Sequence, residues 1–267
     1  MTVKLALVQT HPRFLALDEN HRRALELIDS TDAEIYVLPE LYLSGYAFSQ
    51  TDELARVALP TSNRYFDELL VISKEKGIAI CGGYAEWVAT DSGSTYFNSA
   101  FLIADGELKL NYRKTHLFFR ETQFFTPGDT GFSVIEWRGV RLGVMICFDW
   151  FYPEAARALA MAGADVILHP SNLVLPYCQN AMYARALENR VFIATVNRVG
   201  RETNSHGDDL TFTGASQVVS PSGEYLVILP VATEEVQTVE IDPTVARSKR
   251  INEFNDLLAG RRPGFYR

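Results

Sequence analysis

Apolar runs of strand length recur through the whole chain, and early in the sequence they alternate with segments whose apolar residues return at helical spacing. Runs near 3–10, 33–38, 78–87, 95–104, 107–112, 131–136, 140–147, 165–169, 191–197, 214–220, 224–230 and 235–241 predict strands; segments near 18–30, 62–76, 153–162, 178–190 and 243–249 predict helices. Early strands separated by a helix imply parallel pairing through crossovers. Asp105-Gly106 and Ser222-Gly223 lie between apolar runs and read as hairpin turns, so antiparallel pairs are expected too. Two mixed sheets bury both faces when they face each other and carry helices outside, which predicts an α/β fold of four layers, αββα. No stretch rich in Pro, Gly and Ser, no repeat and no low-complexity segment divides the 267 residues, so one domain over 1–267 is expected, with 250–267 as a C-terminal tail.

Three of the apolar runs end on chemistry. Arg141 to Cys147 reads as a buried strand closing on a thiol, and Pro153 and Gly163 suit the first position and the end of a following helix. Strand, turn and helix in that order place the sulfur beside backbone N–H groups, where a thiolate and an oxyanion are favoured. The alternative is a small buried hydrophobe, which an isolated Cys after a strand more often is. Ala33 to Glu40 ends in Pro-Glu and delivers a carboxylate to a sheet edge, where active sites of layered α/β proteins gather. Lys114 sits among aromatic and aliphatic residues in Leu110 to Phe118. Singly, Glu40 reads as a capping or solvated carboxylate and Lys114 as a surface charge.

Together, Pro39-Glu40-Leu41, Tyr112-Arg113-Lys114-Thr115-His116-Leu117 and Cys147-Phe148-Asp149-Trp150-Phe151-Tyr152-Pro153-Glu154 resemble the Glu, Lys and Cys motifs of the nitrilase superfamily of carbon-nitrogen hydrolases. They stand in that family's order, 74 (114 minus 40) and 33 (147 minus 114) residues apart, and the similarity covers nearly the whole chain. Phe124-Phe125-Thr126-Pro127-Gly128, Gly163 to Asn172 and Arg185-Ala186-Leu187-Glu188-Asn189 agree with it. The resemblance implies the αββα fold and assembly as a homodimer or higher homo-oligomer through the outer helices, with the tail packing on a neighbouring subunit. It also implies a second glutamate, matched by Glu121, that orients substrate and lysine.

Breaking an amide requires a nucleophile, a proton shuttle and positive charge where the oxygen becomes anionic. Cys147, Glu40 and Lys114 supply one of each, with the Phe148 N–H as a further oxyanion donor; a Lys114→Met chain is expected to fold and not turn over. Tyr46, Phe148, Trp150 and Asn172, with Phe48, Phe118, Phe151, Leu173 and Tyr177, flank the motifs and are the expected pocket residues. The Cys147 segment is more similar to amidase, carbamoylase and small nitrilase branches than to classical nitrilases. Hydrolysis of a small-molecule amide to acid and ammonia therefore ranks first, nitrile hydrolysis second and N-carbamoyl amine hydrolysis third. A catalytically silent binding or scaffold homologue is the non-enzyme alternative.

A net charge of −8 and a pI near 5.2 disfavour nucleic acid or an anionic membrane as partner. Three dispersed cysteines, Cys81, Cys147 and Cys178, argue against a disulfide framework, and with no signal peptide or membrane span in view the expected location is cytoplasmic. His116 or His169 with Asp149 or Asn172 offers a papain-like reading, which no local protease signature supports. His169 reads better as a core group near the site. No metal-ligand spacing and no phosphate-binding glycine loop is present, so neither metal nor other cofactor is expected; Gly82-Gly83 reads as a close backbone approach in a strand.

Overall fold

The computed structural model describes residues 2–91 and 93–266; Met1, Ser92 and Arg267, the last residue of the expected tail, lie outside them. Six strands form the first sheet: β1 (Val3–Gln9), β2 (Ile35–Val37), β3 (Ala79–Thr90), β4 (Gly93–Ala104), β5 (Glu107–Arg113) and β14 (Glu235–Ile241). The second holds β6 (Val134–Trp137), β7 (Val140–Val144), β8 (Val166–Pro170), β9 (Phe192–Val196), β12 (Gln217–Val219) and β13 (Tyr225–Ile228). A small hairpin, β10 (Arg201–Thr203) with β11 (Asp209–Thr211), stands apart. The sheet orders are 14-1-2-3-4-5 and 13-12-9-8-7-6. From β14 and from β6 respectively, both sheets run antiparallel, parallel, parallel, antiparallel, antiparallel, so the two have the same pairing scheme.

Side-chain alternation along the strands decides the layers. Val3, Leu5, Leu7, Ile35, Val37, Ala79 and Cys81 share a core with residues of β7, β8 and β9, so these faces of the two sheets meet. Ala6, Val8, Tyr36, Ile80 and Phe101 point the other way, onto α1 (Leu17–Asp29) and α3 (Arg64–Lys76). The second sheet is covered by α5 (Pro153–Met161) and α6 (Cys178–Asn189), whose Ala156, Leu159, Met182 and Ala186 complete its core. The fold is α/β with two mixed sheets between helical layers. Ends are set by local chemistry: the Asn63 carboxamide caps α3 by accepting from the N–H groups of Tyr65 and Phe66 at 3.0 and 3.1 Å, and Gly77 at φ +63° closes it.

Several expected elements differ. The helix expected at 243–249 is a 3-10 turn, Pro243–Arg247, begun by the Asp242 cap. The run 140–147 leaves the sheet at Val144 because the chain must turn at Cys147, and 214–220 keeps only Gln217–Val219 as strand. Unexpected are α2 (Thr51–Val57), α4 (Glu121–Phe124) and the β10/β11 hairpin, all too short to carry a clear apolar period. Among the described residues no helix is long and apolar enough to cross a membrane.

Candidate active site

Glu40, Lys114 and Cys147 each follow a strand: β2, β5 and β7. The carboxyl ends of the parallel strands β2, β7 and β8 point to one region, where ligands bind in open α/β sheets. Glu40 is brought there by a close backbone approach. Gly83 N–H donates to Pro39 O at 3.0 Å and Tyr42 N–H to Gly83 O at 3.0 Å, and a Cβ on Gly83 would stand 2.5 Å from the Glu40 Cα. Gly128 does the same for the lysine: its N–H donates to Lys114 O at 2.8 Å, and a Cβ there would stand 2.0 Å from Arg113 O.

Cys147 takes a left-handed backbone, φ +39°, which costs a non-glycine residue on the order of 1–3 kcal/mol. Asp149 holds that turn: its carboxylate accepts from Ile146 N–H at 2.9 Å, the Tyr112 hydroxyl at 2.7 Å, His116 N–H at 3.1 Å and His116 Nδ1 at 2.8 Å. His169 Nε2 donates to Cys147 O at 3.0 Å, and its Nδ1 accepts from Thr195 Oγ1 at 2.9 Å. Burial pushes His169 down to about 4, so the ring is neutral. Both histidines of the papain-like reading are thus occupied in building the turn. The α-helix begins only at Pro153, after the 3-10 turn Cys147–Phe151.

Lys114 is fully buried and lies between two carboxylates, with Nζ 2.6 Å from Glu40 Oε1 and 2.8 Å from each oxygen of Glu121. Asn98 Nδ2 donates to Glu40 Oε1 at 2.7 Å and to Glu121 Oε2 at 3.3 Å; the Tyr46 hydroxyl donates to Glu121 Oε1 at 2.7 Å. Burial opposes the Lys114 charge more than any other single influence, yet the ammonium is held above its ordinary range, with the Glu121 and Glu40 charges the chief influences in its favour. For Glu121 burial prevails, raising it against the pull of Lys114.

At Cys147 burial and then the Glu40 charge push the thiol well above its ordinary value, and Lys114 and the Asn172 backbone N–H pull it down less strongly. The resting group is therefore a thiol, although Lys114 and the following turn favour the thiolate. Taking the sulfur out of water beside two carboxylates costs more than one ammonium returns.

Cys147, Phe148, Trp150, Asn172, Leu173 and Phe118 line one small cleft, with Val174 and Leu175 beside them. Tyr46 and Phe48 line a second depression next to Glu121. Phe151 and Tyr177 stand outside both, half or more exposed. Sequence reading missed Asn98, which carries no motif of its own; an amide between Phe97 and Ser99 in β4 is its only trace. Among the described residues, Glu40 Oε2 and both polar atoms of the Asn172 side chain are buried without a hydrogen-bond partner. No group of three or more His, Cys, Asp and Glu among them is arranged for a metal ion.

Fold and site together are those of a hydrolase acting on carbon-nitrogen bonds. The chain belongs to the carbon-nitrogen hydrolase family, whose model matches residues 4–251. It is 42% identical to a nitrilase of Pyrococcus abyssi (strain GE5 / Orsay), over 99% of each chain. It is 38% identical to an (R)-stereoselective amidase of Pseudomonas sp, over 97% of this chain and 92% of that one. The structure of a carbon-nitrogen hydrolase from Helicobacter pylori G27 superposes with a TM-score of 0.85 at 25% identity, covering 99% of this chain and 97% of that one.

Proposed function

We propose that the protein hydrolyses a small-molecule amide to a carboxylic acid and ammonia through a thioester at Cys147. The observation that carries this reading is the buried Lys114 ammonium between Glu40 and Glu121, acting together with them on the Cys147 sulfur. Because the resting group is a thiol, attack needs a base. Glu40 Oε2, unpartnered, takes the thiol proton as Sγ bonds to the carbonyl carbon, and Lys114 with the Phe148 N–H stabilises the oxyanion. Glu40 returns the proton to the leaving nitrogen as the C–N bond breaks. Water, deprotonated by Glu40, then adds to the thioester and releases acid and thiol. Glu121 keeps the ammonium in place.

The cleft at Cys147 is narrow and walled by Phe118, Phe148, Trp150 and Leu173, which suits a small acyl group. Its lining is apolar except for Asn172, whose free carboxamide supplies one hydrogen-bonding contact to that group or to the reacting amide. A nitrile is the second reading, supported by the name of the Pyrococcus relative. We also read the exposed Phe254, Phe265 and Tyr266 of the tail and Met161 and Tyr183 of the outer helices as subunit contacts, since apolar groups this exposed favour burial. Ammonia release from matched amide, nitrile and N-carbamoyl forms of several small acyl groups tests the function, with Cys147→Ala alongside. Cys-dependent release from amides is expected; release that survives Cys147→Ala would overturn the reading.

A further inference from the structure

Behind the site lies a second buried ion pair with no part in the chemistry above. Arg198 is fully buried and Glu202 is 7% exposed. Arg198 Nη1 donates to Glu202 Oε1, its Nη2 donates to Pro12 O at 2.8 Å, and the guanidinium lies 4.1 Å from the centre of the Phe212 ring. The other Glu202 oxygen accepts from the backbone N–H groups of Tyr46 and Ala47, at 2.9 and 2.8 Å. Gly45 at φ +75° permits this approach, since a Cβ there would be 2.7 Å from Glu202 Oε1. From that turn the Tyr46 hydroxyl reaches Glu121, which in turn binds Lys114 with both oxygens. The hairpin that carries Glu202 also holds the other side of Glu121, because Arg120 pairs with Asp208 just before β11.

Burying an ion pair costs several kcal/mol per ion before the pair's attraction is counted, so its presence is weak evidence for stability alone. What this pair does do is fix the direction of one turn. Two convergent N–H groups and a guanidinium leave a carboxylate at Glu202 little rotational freedom, and the turn inherits that rigidity. We propose that Glu202, braced by Arg198, is a positioning residue for the reaction: it holds the Gly45-Tyr46-Ala47 turn so that the Tyr46 hydroxyl fixes Glu121 and, through it, the seat of Lys114. The inference rests on the proposed roles of Glu121 and Lys114 at the active site.

The test is a double-mutant cycle between Glu202→Gln and Tyr46→Phe, with ammonia release as one readout and the rate of Cys147 alkylation by iodoacetamide, followed by intact mass against a Cys147→Ala blank, as the other. Gln at 202 turns an amide donor toward N–H groups or Arg198; Phe at 46 removes only the last link. Each variant is expected to lower kcat about tenfold, on the order of 1.4 kcal/mol, with KM within about twofold. Each is also expected to change the alkylation rate at least threefold, and the double variant to match either single one. If wild type releases no ammonia from any substrate, the hydrolase reading fails while the alkylation cycle still reads the relay. Should Glu202→Gln not fold, Arg198→Met with Glu202→Gln, which leaves no unpaired charge, takes its place in the cycle. Effects that multiply in the double variant, or a Tyr46→Phe protein with wild-type kcat and alkylation, would overturn the proposal.

Discussion

Replacing Lys114 by Met removes the cation that binds both carboxylates, and the structure sets what that costs. Breaking a buried ion pair from one side typically costs about 3–5 kcal/mol, because a buried charge is left uncompensated. The chain has a partial escape. In the wild type, burial raises Glu121 and Lys114 is the largest opposing influence; without the ammonium, burial and the Glu40 charge both push Glu121 further up, and it takes a proton. In the unfolded chain the same group returns to an ordinary value near 4.5. Above that value the folded variant therefore binds more protons than its unfolded chain, so its stability falls as pH rises until Glu121 ionises in the folded state. One such proton is worth about 1.4 kcal/mol per pH unit. Over the pH range in which Glu121 is ionised in the wild type and protonated in the variant, the gap between the two should widen with rising pH, by up to about 1.4 kcal/mol per unit. Urea denaturation of both proteins at several pH values measures the gap, and ammonia release measures turnover, which should vanish. Parallel stability curves, or near-normal turnover, would refute the argument. The simple expectation that Lys114→Met folds undisturbed is revised accordingly: at acidic pH the disturbance should be smallest.

Gly83→Ala should destabilise by about 1–3 kcal/mol through a backbone clash at Glu40 and lower kcat in the protein that folds; thermal melts and turnover check both. Asn172→Leu should keep or gain stability, since a buried amide without a partner costs about 1–3 kcal/mol, while kcat/KM falls; unchanged kcat/KM across the acyl panel would remove Asn172 from substrate binding. Glu121→Gln keeps the shape and one acceptor for Lys114 but loses the charge, and should fold with kcat reduced tenfold or more; normal turnover would count against its role.

Much of the scaffold was legible in the chain, because side-chain alternation and apolar run length are local properties. Val3, Leu5 and Leu7 face one layer and Ala6 and Val8 the other whatever lies beyond them. Glu40, Lys114 and Cys147 were readable as candidates because each closes or sits in an apolar run, and the resemblance placed them in one family order and added Glu121. The Gly83 and Gly128 contacts, by contrast, join residues distant in sequence, and only the paired strands show why glycine stands there. Asn98 and Glu202 have no local mark at all; each matters through the atoms that tertiary structure sets opposite it.

The sequence by itself determined the alternation that makes two mixed sheets and the residue types that chemistry needs, since both depend on near neighbours along the chain. Only the tertiary structure decided the resting state of that chemistry. A lysine beside a glutamate and a cysteine suggests a thiolate on the page, but burial is a property of the whole fold. Withdrawn from water, the sulfur keeps its proton while the lysine, clasped by two carboxylates, keeps its charge.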